Sequence, residues 1–330
     1  MDVAILALDG VFDIGLAAIQ DTLAIANALA GARPPFRVAR VGMRRRVRTG
    51  HGLDVPVIRA TRRPELVIVP AISAMTPARI DEILARRDVR DAAALIARWR
   101  AAGTRVAGAC AASFILAAAG VLDGRRATTT WWLAPAFRAR FPGVELDDGA
   151  MVVDDGGVTT AGAALGHLDL ALFVVRRARP ALARTTAHHL TYDARVSQAA
   201  YAMPDYVAHA DRVVERFEGF ARGHLADFSL AAAARALGIG ERTLERRVHR
   251  VLGRSPLSYV RDLRVEYAVQ RLEASDASIE EIAGDVGYSD GVTLRTLIRK
   301  KLGRGVRELR AAGWATGGRP TAAAPARGRR

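Results

Sequence analysis

The chain has 330 residues, half of them hydrophobic, a formal net charge of +15 and a single cysteine, Cys110. That size and apolar content allow two domains with buried cores plus a tail, and one cysteine excludes an intrachain disulfide and fits a reducing compartment. The longest uncharged run, 106–122, is broken by glycines and falls short of the roughly 20 residues that a membrane span needs.

The opening MDVAILALDG lacks a basic lead and does not read as a secretory signal, so a cytoplasmic protein is expected. The positive charge is nearly all arginine, since Lys300 and Lys301 are the only lysines, and it is spread along the whole chain. It favours polyanions in general without locating a binding surface.

Up to residue 185, short apolar runs alternate with helical stretches. VAILAL (3–8), FRVARVG (36–42) and ELVIVPAI (65–72) read as strands, with a helix from Ile14 to about Leu29 after the first. Two Ala/Arg-rich helices fill 77–102, and TRVAGAC (104–110) leads into a helix through Leu116. RRATTTWW (125–132) reads as another strand, 144–162 as a hairpin around Asp154-Asp155-Gly156-Gly157, and 166–178 as a closing helix. This alternation predicts a mostly parallel sheet covered on both faces, with its site at the C-terminal ends of the strands.

The sharpest candidate at such an end is Gly108-Ala109-Cys110-Ala111-Ala112-Ser113. Small residues ending a strand, then a reactive side chain, then a helix, describe a nucleophile elbow. The helix N-terminus is expected to lower the thiol pKa, although a buried and inert cysteine fits the same pattern. His51 and His167 match no motif, and His188-His189 lack partners at ligand spacing, so neither a metal nor a cofactor is expected.

Residues 186–208 read as a linker with room for one strand, followed by a helix from Ala210 to Leu225. The chain then says one thing twice. SLAAAARALGIGERTLERRVHRVLG (229–253) and SIEEIAGDVGYSDGVTLRTLIRKKLG (278–303) each open on a capping serine, break at a glycine turn, and resume in a basic helix that stops at Gly253 or Gly303. Matched glycines lie 49 or 50 positions apart, which marks a duplicated helix–turn–helix.

In the second helix of each copy, Leu244, Val248 and Val251, then Leu294, Leu297 and Ile298, form an apolar face. Arg242, Arg246, Arg247 and Arg250, then Arg295, Arg299, Lys300 and Lys301, form the opposite one, as a helix in the DNA major groove requires. Between the copies, Ser255-Pro256 starts an unbroken helix whose expected buried stripe is Leu257, Val260, Leu263, Val265, Tyr267, Ala268 and Leu272. Beyond Gly313 the Gly, Pro, Ala and Arg content predicts a disordered tail, 313–330.

TLERRVHRVLG followed by SPLSYVRDLRVEYAVQRLEASDASIEEIAGDVGYSD resembles the AraC/XylS family of bacterial transcription regulators over about 209–312. The resemblance implies base reading by Arg242, Glu245 and Arg246, with Thr243 and Arg250 on the same helix. In the second copy it implies DNA contact by Gly291, Val292, Thr293 and Thr296, flanked by Arg295, Arg299 and Lys300. That second set is poor in long polar side chains. Two phenylalanines usual in the family's second recognition helix are Leu294 and Ile298 here.

The first domain, 1–185, resembles the PfpI-like branch of the class I glutamine-amidotransferase-like superfamily, through ALDGVFDIGLAAIQDTLAIAN, GACAASFILAAAGVLDGRRATTTWW and GGVTTAGAALGHLDLAL. The resemblance implies a flavodoxin-like α/β sandwich with Cys110 at the nucleophile position, joined to an all-α domain with two helix–turn–helix motifs. The histidine that commonly follows that cysteine in enzymatic members is Ala111, and another at the end of a TTH segment is Thr130. The expectation is therefore a sensor without catalysis, with Asp13, Cys110, Ala111, Ser113, Thr130, Trp131 and Gly162 lining a pocket for a small, nitrogenous metabolite. The alternative is a cysteine-dependent hydrolase or amidase that also binds DNA. Expected partners are double-stranded operator DNA, a small effector, RNA polymerase and a second copy of the chain, with no membrane.

Overall fold

The structure, a computed structural model, describes residues 1–195, 197–198 and 211–310. The chain divides at about residue 210 into two compact units.

In the first unit, β1 (Asp2–Leu6) leads through α1 (Asp13–Leu29) to β2 (Arg37–Gly42) and three short strands, β3 (Arg46–Arg48), β4 (Asp54–Pro56) and β5 (Ile58–Arg59). Next come β6 (Leu66–Val69), α2 (Pro77–Ala85), α3 (Arg87–Ala101), β7 (Arg105–Ala109) and α4 (Ala112–Ala118). A short pair, β8 (Arg126–Ala127) and β9 (Glu145–Leu146), brackets α5 (Ala134–Arg140). The hairpin β10 (Val152–Asp155) and β11 (Val158–Ala161) precedes α6 (Gly166–Ala178) and α7 (Pro180–His189).

The main sheet runs β10-β11-β7-β6-β1-β2-β5, parallel except for β10 against β11. Strand alternation explains why both faces need cover. Val3, Ile5 and Ala7 pack with α1 and α6 residues such as Ile19, Leu23 and Leu170, whereas Ala4, Leu6 and Leu8 pack with α2, α3 and α4 through Ile80, Ile96 and Phe114. Each fully buried aliphatic side chain stabilises the fold by about 1.5–3 kcal/mol. The C-terminal ends of β1, β6 and β7 therefore meet where the crossover helices part to opposite faces.

The expected strand at 125–132 shrinks to β8, because Thr128, Thr129 and Thr130 are fully buried and the Thr128 N–H is taken by the Thr160 hydroxyl at 2.8 Å. Trp131–Leu133 is then a 3-10 turn rather than strand. The first unit also extends past 185. Pro180, well placed at the first position of a helix, starts α7, which crosses the expected linker boundary. Arg195 and Gln198 bond back to Asp169 and Thr129 of the same unit. The expected domain start at 209, its end at 312 and the tail from 313 lie outside the described residues.

The second unit consists of α8 (Arg212–Gly223), α9 (Leu230–Leu237), α10 (Glu241–Leu252), α11 (Pro256–Ala274), α12 (Ile279–Asp285) and α13 (Gly291–Leu302). The capping serines act as expected: Ser229 accepts from the Ala232 N–H, Ser255 from Ser258, and Ser278 forms a capping box with Glu281. Gly253 and Gly303 end α10 and α13 in left-handed conformation. Gly287 is needed for contact as well as for its positive φ, since a Cβ there would come within 2.1 Å of the Ala226 carbonyl oxygen.

Helix α11 serves both copies. Tyr259, Val260 and Leu263 are buried toward its start, where Phe217 of α8 meets the Tyr259 ring at 5.6 Å. Val265, Ala268 and Leu272 join Ile279, Ile282, Leu294 and Ile298 in the core of the second copy. Leu257 and Tyr267, expected in that stripe, are 60% and 38% exposed. Leu257 lies on the face of Ala268 and Leu272, and Tyr267 on the face of Val260 and Leu263, so each sits on a face that is covered only along the other half of the helix.

Polar groups brace the same arrangement. Asp262 of α11 pairs with Arg254, just past α10, at 2.7 Å and with Lys301, in the last turn of α13, at 3.2 Å. Arg264 donates to the Leu225 carbonyl at 2.8 Å and lies over the Tyr288 ring at 5.3 Å. Asp262→Asn removes the charge shared by two mostly buried cations and is expected to lower stability by about 1–3 kcal/mol. A urea midpoint equal to that of the parent protein would show the cluster to be idle.

Candidate functional site

Cys110 sits between β7 and α4 with φ 55°, a left-handed conformation that carries strain of about 1–2 kcal/mol for a residue with a Cβ. Its surroundings hold that turn. The Cys110 N–H donates to the Ala161 carbonyl at 2.7 Å. Ser113 donates to the Thr129 hydroxyl at 2.6 Å, and Thr129 donates on to the Cys110 carbonyl at 3.3 Å. The geometry is that of a nucleophile elbow; the electrostatics are not. Burial pushes the thiol up to about 11, and the Ala111 N–H and the nearby Thr130 hydroxyl only partly offset it. The expectation that a helix N-terminus lowers this pKa is overturned by desolvation.

The two candidate histidines of the first unit, His167 and His51, make no hydrogen bond to Cys110 among the described residues. His167 is wholly buried; its Nε2 accepts from the Ala71 N–H at 3.0 Å, so Nδ1 carries the proton and donates to the Ala164 carbonyl at 2.6 Å. Burial holds its pKa down at about 4. Gly15 of α1 makes room for it, because a Cβ there would lie 2.7 Å from Nε2.

His51 is exposed and bonds through Nδ1 to Asp13 at 2.9 Å, while the Thr49 hydroxyl donates to the other Asp13 oxygen at 2.6 Å. Burial raises the Asp13 pKa, but these bonds outweigh it and leave the carboxyl below its ordinary value.

Of the expected pocket residues, Cys110, Ala111, Ser113, Thr130 and Gly162 gather at the ends of β7 and β11. Trp131 is half-buried next to them, edge-on to Trp132 at 5.3 Å. Asp13 belongs instead to the group with Thr49 and His51, and among the described residues no hydrogen bond joins it to the elbow. The sequence reading missed Gln198. Its fully buried side chain reaches this region from the segment after α7, and a Cβ on Gly162 would fall within 2.1 Å of its Nε2. No local pattern marks a glutamine that is brought in from so far along the chain.

In the second unit the apolar faces are buried as expected through Leu244, Val248, Val251, Leu294 and Ile298. Arg242, Glu245, Arg246 and Arg250 are exposed and Thr243 is half-exposed on α10. On α13, Val292, Thr293, Arg295, Thr296, Arg299 and Lys300 are exposed.

Several expected contacts are already committed within the chain. Arg295 pairs with Glu280 at 2.8 Å, Arg247 with Asp211 at 3.2 Å, and Lys301 with Asp262. Asp290 caps α13 by accepting from the Thr293 N–H and from its hydroxyl, and Thr296 bonds back to the Val292 carbonyl at 3.0 Å. Gly291 is buried against Glu280 and Ile279 and presents nothing outward. Among the described residues no group of acidic, histidine and cysteine side chains could hold a metal ion, and no helix is long and apolar enough to cross a membrane.

Fold and faces together define the class: an α/β domain of flavodoxin type followed by a double helix–turn–helix domain. Residues 233–312 match the family model described as a helix-turn-helix domain. The chain is 31% identical, over 57% of its length and 59% of the relative's, to the HTH-type transcriptional regulator GlxA of Rhizobium meliloti (strain 1021). It is 26% identical, over 56% of both chains, to the HTH-type transcriptional regulator CdhR of Pseudomonas aeruginosa. The chain thus spans somewhat over half the length of these relatives. A solved ThiJ/PfpI family protein from Pseudomonas syringae shares the fold over 72% of this chain and 89% of its own, with 21% identity and a TM-score of 0.50. The chain therefore joins an N-terminal α/β domain that shares the fold of that ThiJ/PfpI protein to a C-terminal domain that matches the helix-turn-helix model.

Two outcomes follow from the elbow. Iodoacetamide should modify Cys110 in the folded protein slowly and with little gain between neutral pH and pH of about 9, because the thiol stays protonated and buried. A fast reaction with a midpoint near neutrality would contradict the burial argument. For His167, the unfolded chain takes up a proton before the folded one does. Its contribution is therefore full above the ordinary value of 6.5 and is lost as pH falls toward about 4. The loss is on the order of 3 kcal/mol. His167→Gln should flatten that part of the melting-temperature profile, and a parallel profile would rule the assignment out.

Proposed function

We propose that the protein is a sequence-specific DNA-binding transcription regulator whose first domain senses a small metabolite without catalysis. The observation that carries the reading is the matched pair α10 and α13. Both have 12 residues, both end at a left-handed glycine, and both expose a cationic face opposite a buried apolar one. A helix of that section enters a major groove. The transcriptional regulators to which the chain is similar support the reading, as does the bracing of both helices by α11, whose 19 residues span about 28 Å and so approach the pitch of a DNA turn.

The two helices take unequal roles. Arg242 and Arg246, with Glu245, Thr243 and Arg250 beside them, read base edges. Arg299 and Lys300 hold phosphates and add affinity without sequence. Val292 and Thr293 face the same groove with little hydrogen-bonding reach, Thr296 has turned its hydroxyl inward, and Arg295 reaches phosphate only by leaving Glu280.

In the first domain, the pocket of Cys110, Ala111, Ser113, Thr130, Trp131 and Gly162, with Asp13 across the strand ends, binds the effector. A protonated thiol without a base performs no nucleophilic step, which disfavours the hydrolase alternative. Homodimerisation, contact with RNA polymerase and a place in the bacterial cytoplasm accompany this reading through the family resemblance.

Arg246→Ala should relax specificity at one base position by about 1–3 kcal/mol. Lys300→Ala should weaken every sequence alike and lower the salt slope by about one. Both are read by titrating labelled duplexes, single-base variants included, at several salt concentrations. Uniform losses for both variants would refute base reading by Arg246.

A further inference from the structure

The chain places one of its own carboxamides at the elbow. Gln198 follows a segment pinned to α6, where buried Asp169 accepts from the Tyr192 hydroxyl at 2.9 Å, the Arg195 N–H at 2.9 Å and the Arg195 guanidinium at 2.7 Å. Beyond that anchor, Ser197 bridges to Ala150, and the Gln198 N–H donates to the Gly149 carbonyl at 3.0 Å. The Gln198 side chain then turns inward. Its Nε2 lies 2.7 Å from the Thr129 carbonyl, 3.2 Å from the Thr128 hydroxyl and 3.3 Å from the Ala150 carbonyl. Thr129 is the residue that steadies the Cys110 carbonyl, so this amide and the elbow share a wall.

One feature distinguishes this arrangement from an ordinary structural amide. Its carbonyl oxygen, Oε1, is buried with no hydrogen-bond partner among the described residues. A buried amide held for stability normally satisfies both ends, since each orphaned polar group costs about 1–3 kcal/mol. Here three acceptors converge on the NH2 end while the backbone tether leaves the other end unpaired. Gly162 supplies the space, because any side chain there would collide with the amide.

We propose that Gln198 is a tethered stand-in for the effector. Thr128, Thr129 and Ala150 would then form a subsite for the NH2 group of a small primary carboxamide, which binds by displacing the Gln198 side chain. A free amide makes the same three contacts without the tether that strands Oε1. Displacement releases the Ser197–Gln198 stretch from Gly149 and Ala150, and this stretch continues along the chain toward the second unit. The biological meaning rests on the sensor reading above; the subsite itself does not.

The probe is propionamide, the Gln198 side chain cut free, with propionate as the isosteric control that has no donor. In full-length Gln198→Ala, propionamide should raise the melting temperature saturably, by several degrees, and propionate should not. In the parent protein, propionamide should accelerate tryptic cleavage after Arg195 severalfold, as read by mass spectrometry, whereas propionate should leave it unchanged. Should Gln198→Ala not fold, the proteolysis decides alone, with Gln198→Met as an apolar control that propionamide does not stabilise. Equal responses to amide and carboxylate, or none to either, overturn the subsite while leaving the sensor reading intact. An amide-specific response with no change in DNA affinity upholds the subsite and sinks the sensor reading.

Discussion

Neither helix–turn–helix copy can cover its own apolar face, and a single helix supplies the missing surface to both. The start of α11 completes the core around Phe217, and its second half completes the core around Ile282, Leu294 and Ile298. Asp262 adds a charge between the two seams and draws in a cation from the end of each basic helix. The positions of α10 and α13 relative to each other follow from this one element. So does the division of their cations: those near α11 are consumed in bracing it, and those on the far side remain exposed.

The first unit depends on a different constraint, which is neutrality. Its parallel strands converge on a small buried volume that holds a thiol, an imidazole, several hydroxyls and a carboxamide. Burial pushes the thiol up and the imidazole down, so both carry no charge near neutral pH. A thiol held neutral in this way is a weaker nucleophile than a thiolate. Half-buried Asp13 is instead paired with the exposed His51, with no hydrogen bond to that volume among the described residues.

Much of this was readable in advance, for reasons that differ by region. Helix–turn–helix boundaries follow from local chemistry, namely serine caps, terminal glycines and a 3.6-residue apolar period, and those positions fell where expected. The strands β1, β2, β6 and β7 were readable as apolar runs. Where the reading slipped, long-range contacts decide. Thr128–Thr130 look like strand, yet their hydrogen bonds go to side chains and carbonyls from other segments. Leu257 and Tyr267 fit a single-faced stripe, but α11 has two partners and changes its buried face from one half to the other, which leaves each of the two uncovered. Arg295 and Lys301 look like free cations until Glu280 and Asp262 are brought beside them. Gln198 carries no local signal at all.

The shared helix also sets a rule of phase. Each residue added to an α-helix turns whatever follows by about 100°. One insertion within α11 would therefore turn α13 away from the side that α10 faces, although every contact within each copy survived. Side chains can vary at the exposed positions Leu257 and Tyr267, one in each half of the helix, while the number of residues between the two seams stays locked.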